Sequence, residues 1–311
     1  MRDGVIIIDK PAGESSHAVV AAVKKLLGVR KAGHTGTLDP MATGVLPICL
    51  DEATKLAGFL AGEDKEYRAT MLLGIRTDTM DREGKVIGQS EKKVSDEEIR
   101  NAVMGMKGVI RQTPPPFSAV KFQGKPLYHW ARKNIFPEKQ DREVKIHEIA
   151  IEKIDFPSVT FRVLCSKGTY IRTLCSDIGD ILGTGACLSG LRRLKSGPFT
   201  EKEAVSLGDA TGPDKKAELE EKILPLPALL PSWPSVDIPE DFAQKLSNGW
   251  QPTAKIFRGH ELPLLKAGDM IKLKKNGSLL AVARMLVPTG SLREFDDHRQ
   301  VAKLIRVFHL N

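Results

Sequence analysis

The sequence predicts a mixed helix-and-strand chain in two units, on three observations. Its 311 residues exceed one ordinary domain of about 100–200 residues. Two periodicities recur along it: alternation, as in Glu66–Leu73, and helical spacing, as in Val19, Val20, Val23, Leu26 and Leu27. Finally, prolines at 225, 227, 231 and 234 crowd one short stretch, a boundary signal.

In chain order, Val5–Ile8 reads as a buried strand, stopped by Asp9, Lys10 and Pro11. Ser15 or Ser16 caps the first helix, and Gly28 suits its left-handed stop. A polar loop spans Arg30–Thr43, then Val45–Leu50 reads as a strand and Thr54–Leu60 as a short helix. In the alternating strand Tyr67, Ala69, Met71 and Leu73 share a face. Asp81–Gly84 is a turn. Ser95 and Glu98 form a capping box before the stripe Ile99, Val103, Met106. Thr113–Pro116 cannot continue a helix. The segment from there to about Lys139 is basic and interleaved with Phe117, Phe122, Tyr128 and Trp130. It fits an RNA-facing insertion or a loop with inward aromatics, and pattern alone does not choose. Val159–Cys165 alternates, Ile171–Ile181 is helical up to Gly183, and Ala186–Leu194 is again a strand. Residues 211–221 are charged and expected to be solvated. Beyond the prolines, strands at Met270–Leu273, Leu279–Leu286 and Leu304–Leu310 suggest a small β-barrel-like module.

Composition narrows the function. Hydrophobic residues make up 41%, enough for ordinary cores, and no run approaches the roughly 18–20 apolar residues of a membrane span. Val5–Ile8 is too short for a signal sequence, so a cytoplasmic protein is expected. Cys49, Cys165, Cys175 and Cys187 lack metal or disulfide spacing and read as buried thiols. Net charge is +8, and Trp233–Asn311 carries 12 Lys and Arg against 8 Asp and Glu. That balance admits a nucleic-acid partner without proving one.

The chemistry concentrates in Gly33–Pro47 (GHTGTLDPMATGVLP), whose glycines and prolines hold a backbone that is neither helix nor strand. It lacks phosphate-loop spacing. Read by itself, Asp39-Pro40 is ordinary turn chemistry. The loop resembles the catalytic motif of the TruB family, bacterial synthases that make pseudouridine in the tRNA T-loop. Further motifs follow in family order: Asp9–Gly13, Lys65–Ala69, Leu73–Gly84, Ser166–Leu174 and Leu191–Leu194. Together they span roughly residues 5–200. Ser15 and Met41 depart from the family's usual Thr and Leu without removing a functional group.

The resemblance implies an α+β fold: a mixed, mostly antiparallel sheet over residues 1–230, with a thumb-like insertion at about 113–140. A PUA-like RNA-binding barrel over 231–311 completes it. It implies that Asp39 is the nucleophile. A carboxylate suits this because it can form and release a covalent bond. Arg172 would lower its pKa and grip it bidentately. Tyr67 would stack on the flipped base or move a proton, Leu191 would line the pocket, and His34 would fill the place the base leaves. Lys10 is expected at the substrate, either on a phosphate or fixing the Asp39 loop, and Asp81 is expected to order its turn. No metal or other cofactor is implied. The partner is the tRNA T-arm, without an obligatory protein partner, on a monomer. A tRNA-folding chaperone and the catalytic subunit of a guide-RNA complex are the competing readings.

Overall fold

The β-branched run Val5–Ile8 becomes an inner strand of the large sheet, next to the strand that follows the Asp39 loop. In the computed structural model, which describes residues 3–138, 140–208 and 213–309, β1 (Gly4–Lys10) pairs antiparallel with β3 (Thr43–Leu50). Between them, α1 (Ser16–Leu27) is capped by Ser15, whose side chain accepts from the Ala18 amide, and is closed by Gly28 at φ 65°. A three-residue strand, β2 (Ala32–His34), also pairs with β3; the sequence read this stretch as loop. After a 3-10 turn and α2 (Ala57–Ala61) comes β4 (Lys65–Leu73). It alternates as read, with Tyr67, Ala69, Met71 and Leu73 facing the core.

The small hairpin β5 (Ile75–Thr77) and β6 (Val86–Gln89) leads to α3 (Asp96–Met104), which starts in the expected Ser95–Glu98 capping box. Next come β7 (Gly108–Gln112), the hairpin β8 (Lys121–Phe122) and β9 (Lys125–Pro126), and α4 (Leu127–Ala131). In this basic segment, Trp130 packs edge-on against Phe122 while Tyr128 is exposed beside Arg132, so its aromatics divide between the two readings. Then β10 (Arg142–Asp155), β11 (Ser158–Cys165), α5 (Ile171–Leu182), β12 (Ala186–Ser196) and β13 (Phe199–Thr200) complete the sheet's core. The sheet is mixed and mostly antiparallel: β12 runs antiparallel to β4 and parallel to β3.

α6 (Pro213–Glu221) covers most of the stretch expected to be solvated, yet Leu219 is fully buried in the main core. Residues 211 and 212 lie outside the described residues. β14 (Leu224–Pro225) pairs with β1, so the first prolines belong to the large sheet. Beyond them β15 (Ser235–Asp237), α7 (Glu240–Ser247), α8 (Ala254–Phe257), β16 (Met270–Lys275), β17 (Ser278–Met285) and β18 (Ala302–Val307) form a second lobe. Among the described residues its four strands do not close. Edge strands β15 and β18 are unpaired with each other, so no closed barrel is seen among them. The strand expected over 304–310 ends at Val307, and Leu310 lies outside the described residues.

The lobes share an apolar cluster. Val5, Ile7, Val45 and Cys49 from the back of β1 and β3 meet Leu226, Leu229, Leu279, Val282 and Phe308. All four cysteines are buried free thiols, and burial pushes Cys49 and Cys165 up to about 12. No helix among the described residues is long and apolar enough to cross a membrane.

Candidate active site

The glycine- and proline-rich loop is held by groups that arrive from outside it. Ser16 Oγ accepts from the Leu38 amide at 2.8 Å and donates to the Leu38 carbonyl at 2.9 Å. The Gly13 amide donates to Pro40 O at 2.8 Å. Lys10 is 0% exposed, and its ammonium donates to the carbonyls of Pro11, Pro40 and Ala42 at 2.7, 3.1 and 2.8 Å. Of its two expected roles, these contacts match the fixing of the Asp39 loop: three carbonyls take its donors. Gly44, at φ +100°, lets β3 pass so close to β12 that any Cβ would strike the Arg193 backbone.

This scaffold sets Asp39 against α5. Arg172 Nε lies 2.9 Å from Asp39 Oδ2, and Nη2 donates to Oδ1 at 3.1 Å, a bidentate grip. The same guanidinium donates to Thr79 O at 3.1 Å and Phe117 O at 2.8 Å, so it also ties down the root of the insertion. A second carboxylate, Asp81 Oδ2, is 3.5 Å from Nη1. Asp81 also accepts from Thr79 Oγ1 at 2.6 Å and the Glu83 amide at 3.1 Å, which orders its turn as expected. Burial raises the Asp39 pKa above its ordinary value; Arg172 opposes this, and Asp81 adds to it. The expected lowering by Arg172 is therefore present but outweighed by desolvation.

Asp39, Tyr67, Arg172 and Leu191 line one cavity of about 270 Å³, near the lower end for ligand clefts. Tyr67 is almost fully buried, and desolvation raises its phenol further, so it stays protonated. His34 does not line this cavity. It sits on β2, its Nδ1 accepts the Gly36 amide at 3.3 Å, and burial lowers its pKa and favours the neutral ring.

The cavity also contains Lys65 and Arg193, which the sequence reading did not select as site residues. The signal was available: Lys65 opens the second motif, and Arg193 lies in the last. Each is a cation in an alternating strand, indistinguishable by type from a solvated face. Among the described residues no cluster of His, Cys, Asp and Glu is arranged to hold a metal.

A family model described as the N-terminal domain of TruB family pseudouridylate synthases matches residues 24–171. One described as the tRNA pseudouridylate synthase B C-terminal domain matches residues 172–230. The chain is 49% identical to the tRNA pseudouridine synthase B of Syntrophus aciditrophicus (strain SB), over 99% of both chains. To that of Clostridium tetani (strain Massachusetts / E88) it is 41% identical, over 91% of this chain and 95% of the relative. Among solved structures it resembles one of a Cbf5-Nop10-Gar1 complex, with a TM-score of 0.75 and 29% identity. That match covers 99% of this chain and 85% of the other. An H/ACA ribonucleoprotein bound to a substrate RNA containing 2'-deoxyuridine gives a TM-score of 0.74 at 28% identity, covering 99% and 86%.

Proposed function

We propose that this chain, which belongs to the TruB family of pseudouridylate synthases, isomerises uridine 55 in the T-loop of tRNA to pseudouridine. The observation that carries the reading is the bidentate Asp39–Arg172 pair on a cavity sized for a small ligand. Asp39 is the nucleophile. Arg172 holds it in one orientation and favours its ionised form against the burial that opposes it. Tyr67 lies under the flipped base and offers a phenol proton, and Leu191 keeps water from the detached base. His34, just outside the cavity, fills the stack that the base vacates. Lys10 acts at one remove, by fixing the carbonyls on either side of Asp39.

The catalytic unit in this reading is residues 1–230, with the insertion at about 113–140 closing on the RNA. Residues 231–311 are a PUA-like RNA-binding unit. Four cations in the insertion, Lys121, Lys125, Arg132 and Lys133, are exposed and suit phosphate contacts. Isomerisation is redox-neutral and needs no electron carrier. The chain works in the cytoplasm on tRNA as a monomer, without an obligatory protein partner. The guide-RNA alternative draws on the likeness to Cbf5 chains in complexes, and it predicts no activity from the chain alone.

The test incubates purified wild type and Asp39→Asn with unmodified tRNA transcript and maps pseudouridine by nucleotide. Product at position 55 from wild type, and none from a variant that still binds tRNA, is the expected result. A folded wild type that binds tRNA and makes no product sinks the reading in favour of a chaperone or a guided complex.

A further inference from the structure

Arg193 and Lys65 are two cations in one cavity, and among the described residues neither has a carboxylate partner. They are 1% and 6% exposed, whereas the Asp39 side chain is 33% exposed. Neutral acceptors hold them instead. Arg193 Nε donates to Val45 O at 2.7 Å and Nη2 to Gly36 O at 3.1 Å. Lys65 Nζ donates to Ala61 O at 2.7 Å and Glu63 O at 2.6 Å, leaving its third N–H free of these two. The two side chains converge under the Asp39 loop: a Cβ on Gly36 would lie 3.4 Å from Arg193 Nη1 and 3.8 Å from Lys65 Cε. Carbonyl oxygens satisfy donors but cancel no charge. Like charges facing each other in a buried position carry a standing penalty, which an incoming anion relieves. The penalty shows on Lys65, whose pKa desolvation and Arg193 push down to about 8 although the nearby Glu63 and Asp64 act the other way.

The anion's identity follows from depth. A flipped nucleotide enters base first, so its ribose reaches Asp39 and its phosphates stay outside. The deeper position is therefore occupied by the pyrimidine. We propose that Arg193 and Lys65 form a cationic floor that stabilises the negative charge of the detached uracil. This rests on the synthase reading above. When the N1–C1′ bond breaks heterolytically, its electron pair remains on the base, spread over N1, O2 and O4. The anion forms whether an Asp39 oxygen bonds to C1′ or Asp39 takes the C2′ proton and later returns it. After the base turns, C5 bonds to C1′ as the Asp39–C1′ bond breaks or the C2′ proton returns, the C5 proton departs and N1 gains one, so nothing is oxidised or reduced. Fixed cations next to charge that develops only in the transition state accelerate the step without reorganising.

The experiment uses single-turnover cleavage of the target N-glycosidic bond in two tRNA transcripts, one with uridine and one with 5-fluorouridine. Fluorine makes the base more acidic and a better leaving anion, so it needs the floor less. Lys65→Met should lose about 10²-fold on uridine, with a clearly smaller loss on 5-fluorouridine. Lys65→Arg, which keeps the charge, should recover most of the rate on both. Arg193→Gln, which removes the charge, repeats the comparison if Lys65→Met does not fold, as judged by its thermal melt. Equal losses on the two transcripts overturn the proposal and make the cations structural. A loss confined to tRNA affinity also overturns it and assigns them to a phosphate. Wild type that makes no pseudouridine is a failure of the synthase reading, which the control detects separately.

Discussion

Lys10→Met separates a loop-building lysine from an RNA-binding one. Methionine nearly matches its shape and removes the ammonium that meets three carbonyls at 2.7, 3.1 and 2.8 Å. Removing bonds to a charged donor costs about 1.5–3 kcal/mol each. Against that, burying an ammonium costs several kcal/mol, which the variant no longer pays; the same burial depresses the Lys10 pKa. The difference leaves a net loss of about 2–4 kcal/mol. At about 2–4 °C per kcal/mol for a chain of a few hundred residues, melting should fall by about 5–15 °C. Pro40 O and Ala42 O lie on either side of Asp39, so kcat should fall about tenfold or more while KM for tRNA barely moves. The assays are a thermal melt and steady-state kinetics at several salt concentrations. A lysine on a phosphate gives the opposite pattern: unchanged melting, a raised KM and a salt slope reduced by about one. That pattern would refute the argument.

Two further outcomes follow from the same geometry. Asp81→Asn removes a carboxylate that raises the Asp39 pKa, and it leaves Arg172 to Asp39 alone. Because Asp39 must be ionised to attack, activity rises with pH through its pKa, so the acid limb of kcat/KM should move to lower pH. A pH profile whose acid limb stays put or moves upward refutes the coupling. Phe308→Ala tests the seam between the lobes: Phe308 is fully buried against Lys55 and the back of β1 and β3. It should cost about 3–5 kcal/mol, seen in chemical denaturation followed through both lobes, and an unchanged transition would show that the lobes fold independently.

What was legible in the sequence was what neighbours in the chain decide. The Ser95–Glu98 box, the Gly28 stop and the inward face of β4 each rest on residues a few positions apart, and each was read correctly. β2 was missed because three residues containing a glycine carry no period; its pairing with Ala32↔Leu50 and His34↔Ile48 comes from the other strand. β14 was hidden among the prolines for the same reason, since only β1 makes Leu224–Pro225 a strand. For the second sheet, short strands with glycine turns fit an open sheet and a barrel alike, and closure depends on strands that are far apart in sequence.

The site's charges show the same limit in chemical form. A sequence shows that Lys10, Lys65, Arg172 and Arg193 are cations; it does not show what each one meets. Arg172 meets two carboxylates, Asp39 and Asp81, and its charge is spent at the place where the nucleophile sits. Lys10 meets carbonyls and spends its donors on the loop's shape. Lys65 and Arg193 also meet carbonyls, but in the cavity itself, where no carboxylate among the described residues forms an ion pair with either. In the proposal the cavity therefore runs from a carboxylate held by arginine to two cations without an ion-pair partner at its floor. In the proposed reaction, breaking the bond at Asp39 sends an electron pair along that same direction. A field built into the fold in this sense lowers the barrier without any group having to move. Exchanging the two kinds of cation would preserve composition, net charge and motif count while removing the gradient.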